Sequence, residues 1–421
     1  MLTRAVHPTR VRRRSFVLSS KGYQRVNLTR SSQRLTDPSR EASLRTVRAF
    51  PRVSLAEAAR TGPPSLPGAG NLDTWRTGLR RAVLSRVAGF VAARCADELG
   101  ACGVDVAGEI LTEFVKGGKC LRSTFMYLGW LCGAPASDAA LSATASLELL
   151  HAFALLQDDV MDDSASRRGR PAAHIQFASW HRQRGLTGSS RRFGESAAIL
   201  LGDLCLIWAE QMLRNSGLQR HHLLRAWPRY DAMRTELAVG QFADLAIDVR
   251  DPPTLESVLN VARLKSGNYT VRRPLEIGAA MAGCDEQALA VLGDYGGAVG
   301  EAFQLRDDVL GIFGSPTATG KPNSGDLIER KATSVMVAAH QLADASTRRQ
   351  FSELINSERL DDSALDHWRN LILATGAVQW IEELIADRVE AARKALAGNV
   401  IDGPVTAALV DMAGLCTQRA A

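Results

Sequence analysis

The chain of 421 residues is poor in lysine, has no patterned cysteines and contains no long uninterrupted apolar run. Its seven cysteines show neither a CxxC pair nor another metal-ligand spacing, which argues against zinc and favours reduced thiols in a cytoplasmic protein. The most apolar stretch, residues 197–209, is interrupted by Asp203, so no transmembrane helix is predicted. The 46% of apolar residues suffices for a large buried core.

The positive charge is concentrated at the N-terminus. The net charge is +6, but residues 1–75 alone carry +10 and the remainder carries −4. We therefore predict a disordered basic extension over residues 1–75 and one folded domain over residues 76–421. A disordered tail or over-extended gene start, an organelle transit segment and a nucleic-acid-binding arm all fit this composition. No motif predicts a specific nucleic-acid partner.

From about residue 76 onward, apolar residues recur at helical spacing. One face begins at Leu200 and continues four, seven, eight and eleven positions later with Leu204, Ile207, Trp208 and Gln211. Alternating runs with hairpin turn dipeptides are nearly absent, and clusters of Gly and Pro separate the helical segments. The predicted fold class is therefore all-α.

An acidic cluster ends one predicted helix. Asp158 and Asp162 lie one turn apart, and Asp159 lies beside them. Like charges at this spacing repel, whereas Mg2+ would neutralise them, because it binds few carboxylates directly and completes its coordination with waters and phosphate oxygens. Arg167 and Arg168 follow and could bind an anion there. A solvated helix end is the alternative for this motif alone.

A second acidic pair, Asp307 and Asp308, follows Gln304 by one helical turn. Lysine usage supports a shared chemistry, because the chain has only seven Lys against 44 Arg. A Lys retained in such a chain indicates a need for a compact, mobile ammonium at a phosphate, although chance remains an alternative. Five of the seven lie in motif-like surroundings: Lys116, Lys119, Lys265, Lys321 and Lys331. The pattern predicts a site for Mg2+ and a diphosphate.

Six motifs, in this order, resemble those of the trans-isoprenyl diphosphate synthases (polyprenyl synthetases), most closely the geranylgeranyl diphosphate synthases. They are Gly117-Gly118-Lys119-x-x-Arg122, Glu148-Leu149-Leu150-His151, the first acidic cluster with Arg167-Arg168-Gly169-x-Pro171, Lys265-Ser266, Phe303-Gln304-x-x-Asp307-Asp308, and Lys321 with Lys331. The resemblance covers about residues 80–335. It implies an all-α isoprenoid-synthase bundle with a central active-site cavity, about three Mg2+ ions and a homodimer.

The resemblance also implies a role for each matching residue. Mg2+ ligands would be Asp158, Asp159, Asp162, Asp307 and Asp308, which with Lys265 would be catalytic. The allylic diphosphate would be contacted by Arg167, Lys265, Ser266, Gln304, Lys321 and Lys331, and isopentenyl diphosphate by Lys119, Arg122, His151 and Arg168. The implied reaction is a Mg2+-dependent ionisation of dimethylallyl, geranyl or farnesyl diphosphate, followed by condensation with isopentenyl diphosphate and proton elimination.

Several positions depart from the family pattern. Cys120 and Ser123 stand where Arg and Pro are usual, Gln157 replaces a common His, and Ser266 replaces a common Thr. The loop motif reads Ser324-Gly325-Asp326 instead of Gly-Asp-Asp, and Gly311 replaces a third aspartate in the second cluster. None of these changes removes a principal metal ligand, so we expect an active enzyme with weakened isopentenyl diphosphate binding.

Product length is predicted from Phe153. It lies five residues before Asp158, about 7.5 Å further along the helix axis. In the family, bulky side chains at this level form the floor of the product tunnel. Together with the small Ala154 and an acidic motif without insertion, this resemblance points to geranylgeranyl diphosphate. Ordinary core packing of Phe153 is the alternative.

Other functions in the same superfamily stay open. Farnesyl or longer-chain synthesis and a non-catalytic partner subunit of a heteromeric synthase are the alternatives. A terpene cyclase is disfavoured by Lys119 and by the Asp307–Asp308 pair.

The composition of the extension leads to a first prediction. A protein that begins at Asn71 should be soluble and active, because the residues before it lack a periodic apolar face. Its thermal transition and condensation rate should be compared with those of the full chain. Aggregation or inactivity would mean that the extension belongs to the domain or to a dimer contact.

Overall fold

The computed structural model describes residue 66 and residues 71–247, 253–314 and 325–418. All of them belong to the compact unit Val53–Ala421. Most of the predicted N-terminal extension, as well as Lys321 and Ser324, lies outside the described residues.

The described residues confirm the all-α prediction. In chain order, the N-terminal α-helices are α1 (Leu72–Arg94), α2 (Asp105–Val115), α3 (Leu121–Leu131), α4 (Asp138–Met161), α5 (Ala173–Gln183), α6 (Ser190–Arg214) and α7 (Arg220–Leu245). The later ones are α8 (Leu255–Ala262), α9 (Arg273–Ala282), α10 (Glu286–Phe313), α11 (Gly325–Ile328), α12 (Ser334–Leu342), α13 (Ala345–Asn356), α14 (Asp362–Ala374), α15 (Ala377–Ala395) and α16 (Gly403–Thr417).

Short elements connect these helices. A π-helical turn, Cys95–Leu99, and a 3-10 turn, Gly100–Cys102, follow α1. A longer π-helical segment, Arg263–Arg272, joins α8 to α9. The strands β1 (Ser166–Arg167) and β2 (Arg170–Pro171) form an antiparallel hairpin just after α4.

The first helix of the described residues begins before residue 76, the predicted start of the folded domain. Helix α1 starts at Leu72, and the side chain of Asn71 caps it by accepting a hydrogen bond from the Asp73 amide at 2.9 Å. Trp75 is already buried. Residues 72–75 were placed in the extension because a single turn contains too few apolar residues to show helical periodicity.

Polar caps set the start of the two helices that carry the acidic clusters. Ser137 Oγ accepts a hydrogen bond from the Ala140 amide at 3.4 Å before α4. Asp285 Oδ1 accepts one from the Ala288 amide at 2.8 Å before α10. These bonds satisfy amide groups that have no partner within the helix. Both helices then run through the bundle with most side chains buried, which fixes the positions of their acidic ends.

The bundle contains two hydrophobic clusters. The larger one joins α1–α7 to α9, the first part of α10 and α16, and Phe125, Trp208 and Tyr295 are fully buried in it. The smaller one packs the end of α10 against α12–α15 around Phe351 and Trp368. Helix α10 therefore belongs to both clusters, and its acidic pair lies in the part that packs in the smaller one.

Among the residues that the structure describes, the two helices α4 and α6 are long and apolar enough to span a membrane by length and composition alone. In the fold, 67% of the apolar window of α4 and 44% of that of α6 are buried.

Helices α3 and α9 approach each other closely at two glycines. A Cβ atom at Gly278 would lie 1.9 Å from the carbonyl oxygen of Met126, and one at Gly129 would lie 2.1 Å from that of Leu275. Backbone atoms cannot move aside as a flexible side chain can. The close contact of α3 with α9 therefore requires glycine at both positions.

We expect Gly278→Ala to lower the free energy of unfolding by about 2–3 kcal/mol, because the added methyl group overlaps the backbone of α3. Chemical denaturation measures this change. Gly297→Ala is the matched control, because a Cβ there has no atom within 4 Å. This control should stabilise helix α10 by about 0.5–1 kcal/mol. Equal stability of the two variants would contradict the packing described.

Candidate active site

Helices α4 and α10 present their acidic ends to one cavity with a volume of about 1180 Å3. Its wall contains most of the predicted site residues, namely Lys119, Arg122, His151, Phe153, Asp158, Arg167, Lys265, Ser266, Gln304, Asp307, Asp308 and Lys331. Asp159, Asp162 and Arg168 are not part of this wall, and Lys321 lies outside the described residues.

Arg167, held by the β1–β2 hairpin, bridges the first two aspartates. Its Nε donates to Asp159 Oδ1 at 2.8 Å, and its Nη2 donates to Asp158 Oδ2 at 3.3 Å. Asp159 is fully buried, which raises the pKa of its carboxyl, while Arg167 lowers it. Its Oδ2 is buried without a hydrogen-bond partner among the described residues. Asp159 thus orients Arg167, and direct metal ligation by Asp159 stays a prediction.

Two lysines also approach the first cluster. Lys265, on the π-helical segment, lies with Nζ 3.5 Å from Asp158 Oδ1 and 2.7 Å from Asp244 Oδ2. Lys331 Nζ lies 2.8 Å from Asp162 Oδ2. Burial lowers the pKa of both ammonium groups, but the neighbouring carboxylates outweigh it and raise the pKa above its ordinary value. Both lysines are therefore fully charged at neutral pH.

Both aspartates of the second cluster line the cavity, and Asp308 is also held by hydrogen bonds within the protein. Asp308 Oδ2 accepts from the amide and the hydroxyl of Ser334 at 3.0 and 2.6 Å, and its Oδ1 accepts from Gln304 Nε2 at 2.7 Å. Burial raises the pKa of Asp308, and these hydrogen bonds lower it. Asp307 also lines the cavity.

Gly311 leaves space for a carboxylate from another helix. A Cβ atom at Gly311 would lie 1.8 Å from Oδ2 of Asp326, so the Asp326 carboxylate occupies the volume next to this glycine. Asp326 comes from α11 and lines the same cavity as Asp307. The second cluster therefore has a further carboxylate where the sequence pattern lacks its third aspartate.

The predicted isopentenyl diphosphate side is organised by an aromatic ring. The guanidinium carbon of Arg122 lies 4.2 Å from the ring centre of Tyr269, and Nη2 donates to Thr270 Oγ1 at 3.0 Å. The His151 ring is 6.2 Å from that of Tyr269. Burial, and then the nearby arginines, lower the pKa of His151 well below its ordinary value, so its imidazole is neutral. Lys119 also lines the cavity.

Arg168 supports the glycine loop instead of lining the cavity. Its Nη1 donates to the carbonyl oxygens of Phe114 and Gly117, both at 3.2 Å. Because Gly118 and Lys119 continue this loop, Arg168 fixes the position of Lys119 through the backbone. A direct contact of Arg168 with substrate stays a prediction.

The structure shows the surroundings of three residues that depart from the family pattern. Cys120 is buried and lies off the cavity wall, so the cation that the usual arginine would provide is missing at this position. Ser123 Oγ donates to Glu148 Oε1 at 2.7 Å and so links α3 to α4. Gln157 Nε2 donates to Asp203 Oδ1 at 2.8 Å, which links α4 to α6.

Three further polar residues of the cavity wall lie against residues of the predicted motifs, although the sequence assigned no role to them. They are Asp244, which pairs with Lys265; Tyr269, which lies beneath Arg122; and Asp326, beside Gly311. A signal existed for two of them. Tyr269 follows Lys265 by one helical turn, and Asp244 follows Gln241 by three positions, so each shares a helix face with a polar neighbour.

The position of Phe153 is compatible with both predicted roles, the floor of a product tunnel and ordinary core packing. It lines the cavity together with Ala154, and it also packs against the larger hydrophobic cluster.

Comparison with known proteins gives consistent matches. The polyprenyl synthetase family profile matches residues 104–372. The geranylfarnesyl diphosphate synthase of Aeropyrum pernix is 31% identical over 69% of this chain and 86% of its own length. The geranylgeranyl diphosphate synthase of Mycobacterium tuberculosis is 36% identical over 53% of this chain and 58% of its own length.

A solved structure agrees with these matches. Geranylgeranyl pyrophosphate synthase from Corynebacterium glutamicum, complexed with isoprenyl diphosphate and magnesium, superimposes with a TM-score of 0.78 at 33% identity. The superposition covers 83% of this chain and all of that one. The chain therefore belongs to the polyprenyl synthetase family, a family of Mg2+-dependent trans-prenyltransferase enzymes.

Proposed function

We propose that the protein condenses isopentenyl diphosphate with an allylic diphosphate and makes mainly geranylgeranyl diphosphate. The observation that carries the proposal is the convergence of two acidic clusters and the charged Lys265 and Lys331 on one cavity. Such a site suits a diphosphate and its counter-ions, because carboxylates can hold Mg2+ and ammonium groups can pair with phosphate oxygens.

The carboxylates fit Mg2+. Asp158, Asp307 and Asp326 line the cavity and supply the oxygen ligands that this ion prefers. When bound, Mg2+ would neutralise charge on the diphosphate as it leaves. We propose about three ions per site, in keeping with the resemblance.

The cationic side chains would drive the ionisation step. In this proposal Lys265, Lys331 and Arg167 bind the allylic diphosphate, and their charge stabilises the developing pyrophosphate anion as the allylic C–O bond breaks. Each is held within 3.5 Å of a carboxylate, so little reorganisation is needed at the moment of reaction.

The second substrate would bind at the other group of cations. Lys119 and Arg122 would hold the diphosphate of isopentenyl diphosphate, with its double bond close to the allylic carbon. A new C–C bond forms, and the released pyrophosphate accepts the proton that is lost. The neutral His151 adds no positive charge where the carbocation forms.

Phe153 supports a product of twenty carbons, because a bulky ring on the cavity wall one to two turns from Asp158 would stop the growing chain. Farnesyl and longer products remain the alternatives, since the relatives named above make products of different length by their names.

We also propose a homodimer. Ile199, Leu200 and Ile207 of α6 are 42%, 63% and 52% exposed, although α6 contributes its other face to the core. A second copy of the chain would cover these residues.

A non-catalytic partner subunit is the second candidate function. Loss of an acidic cluster would favour it, but Asp158 and Asp307 both line the cavity. Incubation of the pure protein with both substrates and Mg2+ distinguishes the two: an enzyme forms product alone, whereas a partner subunit does not.

Removal of a cavity carboxylate tests the metal site. Asp158→Ala and Asp307→Ala should each lower turnover at least ~100-fold, because the leaving diphosphate loses Mg2+ stabilisation. Calorimetry with inorganic pyrophosphate and Mg2+ should show weaker binding in both variants. Asp163→Ala is the matched control, because this neighbouring side chain is 70% exposed and lies off the wall. Near-normal turnover in either cavity variant would refute the proposal.

The carboxylate of Asp326 provides a compensation test. Asp326→Ala should weaken Mg2+-dependent pyrophosphate binding about tenfold, the lower end of the loss expected when a group around a metal is removed. Gly311→Asp alone should also impair binding, because its side chain meets the Asp326 carboxylate. The double variant Gly311→Asp, Asp326→Ala should recover binding relative to either single variant. Additive losses in the double variant would show that the two positions do not share one role.

A further inference from the structure

Along helix α7, the cavity wall carries charged side chains at two levels and apolar side chains between them. At the diphosphate end, Asp244 of α7 pairs with Lys265. Leu237 of α7 and Leu206 of α6 line the middle. Beyond them the wall becomes charged again at Arg234 of the same helix α7. An apolar prenyl chain fits the middle section, and its growth would bring it to the second charged end.

The depth of this second charged end follows from helix geometry. Arg234 precedes Asp244 by ten residues, which places it about 15 Å further along α7. Lys265 lies near both Asp244 of α7 and Asp158 of α4. These two aspartates therefore mark the same level of the cavity on the two helices. Phe153 lies only about 7.5 Å from Asp158 along α4. Measured along its own helix from the level of Lys265, Arg234 therefore lies about twice as far away as Phe153 does.

Arg234 is held in this position by several contacts. Its Nη1 lies 3.2 Å from Glu210 Oε2, so the ion pair joins α7 to α6. The guanidinium also bonds to Asp231, which lines the cavity, and lies 4.5 Å from the ring centre of the fully buried Tyr230. These contacts fix the charged group across the deep end.

We propose that the Glu210–Arg234 ion pair is a second, electrostatic stop for chain elongation, below the steric stop at Phe153. Each isoprene unit added in the apolar section gains free energy by burial of hydrocarbon. At the ion pair this gain ends, because a hydrocarbon tail would remove solvent from charged groups without giving them a hydrogen bond. The inference rests on the proposed condensation activity.

The experiment compares product lengths in a background where Phe153 is removed. Phe153→Ala should lengthen the main product beyond geranylgeranyl diphosphate, and adding Arg234→Met should lengthen it by at least one more isoprene unit. Methionine keeps an unbranched apolar chain and removes the charge. Chromatography of the dephosphorylated products, with excess isopentenyl diphosphate, gives the distribution.

Two matched controls accompany this comparison. Arg214→Met removes the other arginine bonded to Glu210, at 3.1 Å, but Arg214 lies outside the cavity wall and is 57% exposed. Arg234→Lys keeps the positive charge at the deep end. Both should leave the product distribution of Phe153→Ala unchanged.

The inference is overturned if Arg234→Met leaves the distribution of Phe153→Ala unchanged, or if Arg214→Met lengthens the product equally. Thermal unfolding of each variant checks folding, and Phe153→Leu supplies a milder background if Phe153→Ala does not fold. Absence of any product from the unmodified protein would refute the proposed function instead. A longer product from Phe153→Ala that Arg234→Met does not lengthen further would refute this inference alone.

Discussion

Neutralisation of closely spaced carboxylates is the interaction on which the site depends. Asp158, Asp159 and Asp162 end one helix, and each is met by a cation: Lys265, Arg167 or Lys331. Without these partners the repulsion and desolvation of the carboxylates would destabilise the fold. The hairpin, the π-helical segment and the turn before α12 therefore contribute to stability by the same contacts that prepare a diphosphate site.

The precision of the site comes from the packing of the central helices. Gly129 and Gly278 let α3 and α9 pack at backbone distance, and Gly267 and Gly300 allow the same for the π-helical segment and α10. A Cβ at Gly300 would lie 2.6 Å from the Gly267 carbonyl oxygen. Because Lys265 lies two residues from this contact, its ammonium is supported by backbone packing, which suits a site that must not reorganise during reaction.

Sequence reasoning identified the lysines and acidic clusters because their chemistry is local: charged residues one helical turn apart, and rare Lys in an Arg-rich chain. It could not show which of two neighbouring aspartates faces the cavity. Asp159 points into protein, where Arg167 binds it, while Asp158, Asp307 and Asp308 line the cavity, although Ser334 also binds Asp308. The role of Arg168 in holding the Gly117 loop was equally hidden, because it depends on a contact between residues 51 positions apart.

By itself the sequence determined the helical class, the two acidic clusters and their cationic partners, because spacing along a helix sets which side chains share a face. Only the tertiary structure decided which of those side chains reach the cavity, that Asp326 fills the space at Gly311, and that Arg234 on the cavity wall pairs with Glu210. The reason is physical. Rotation of each helix is set by the burial of its whole apolar surface, which no short motif records.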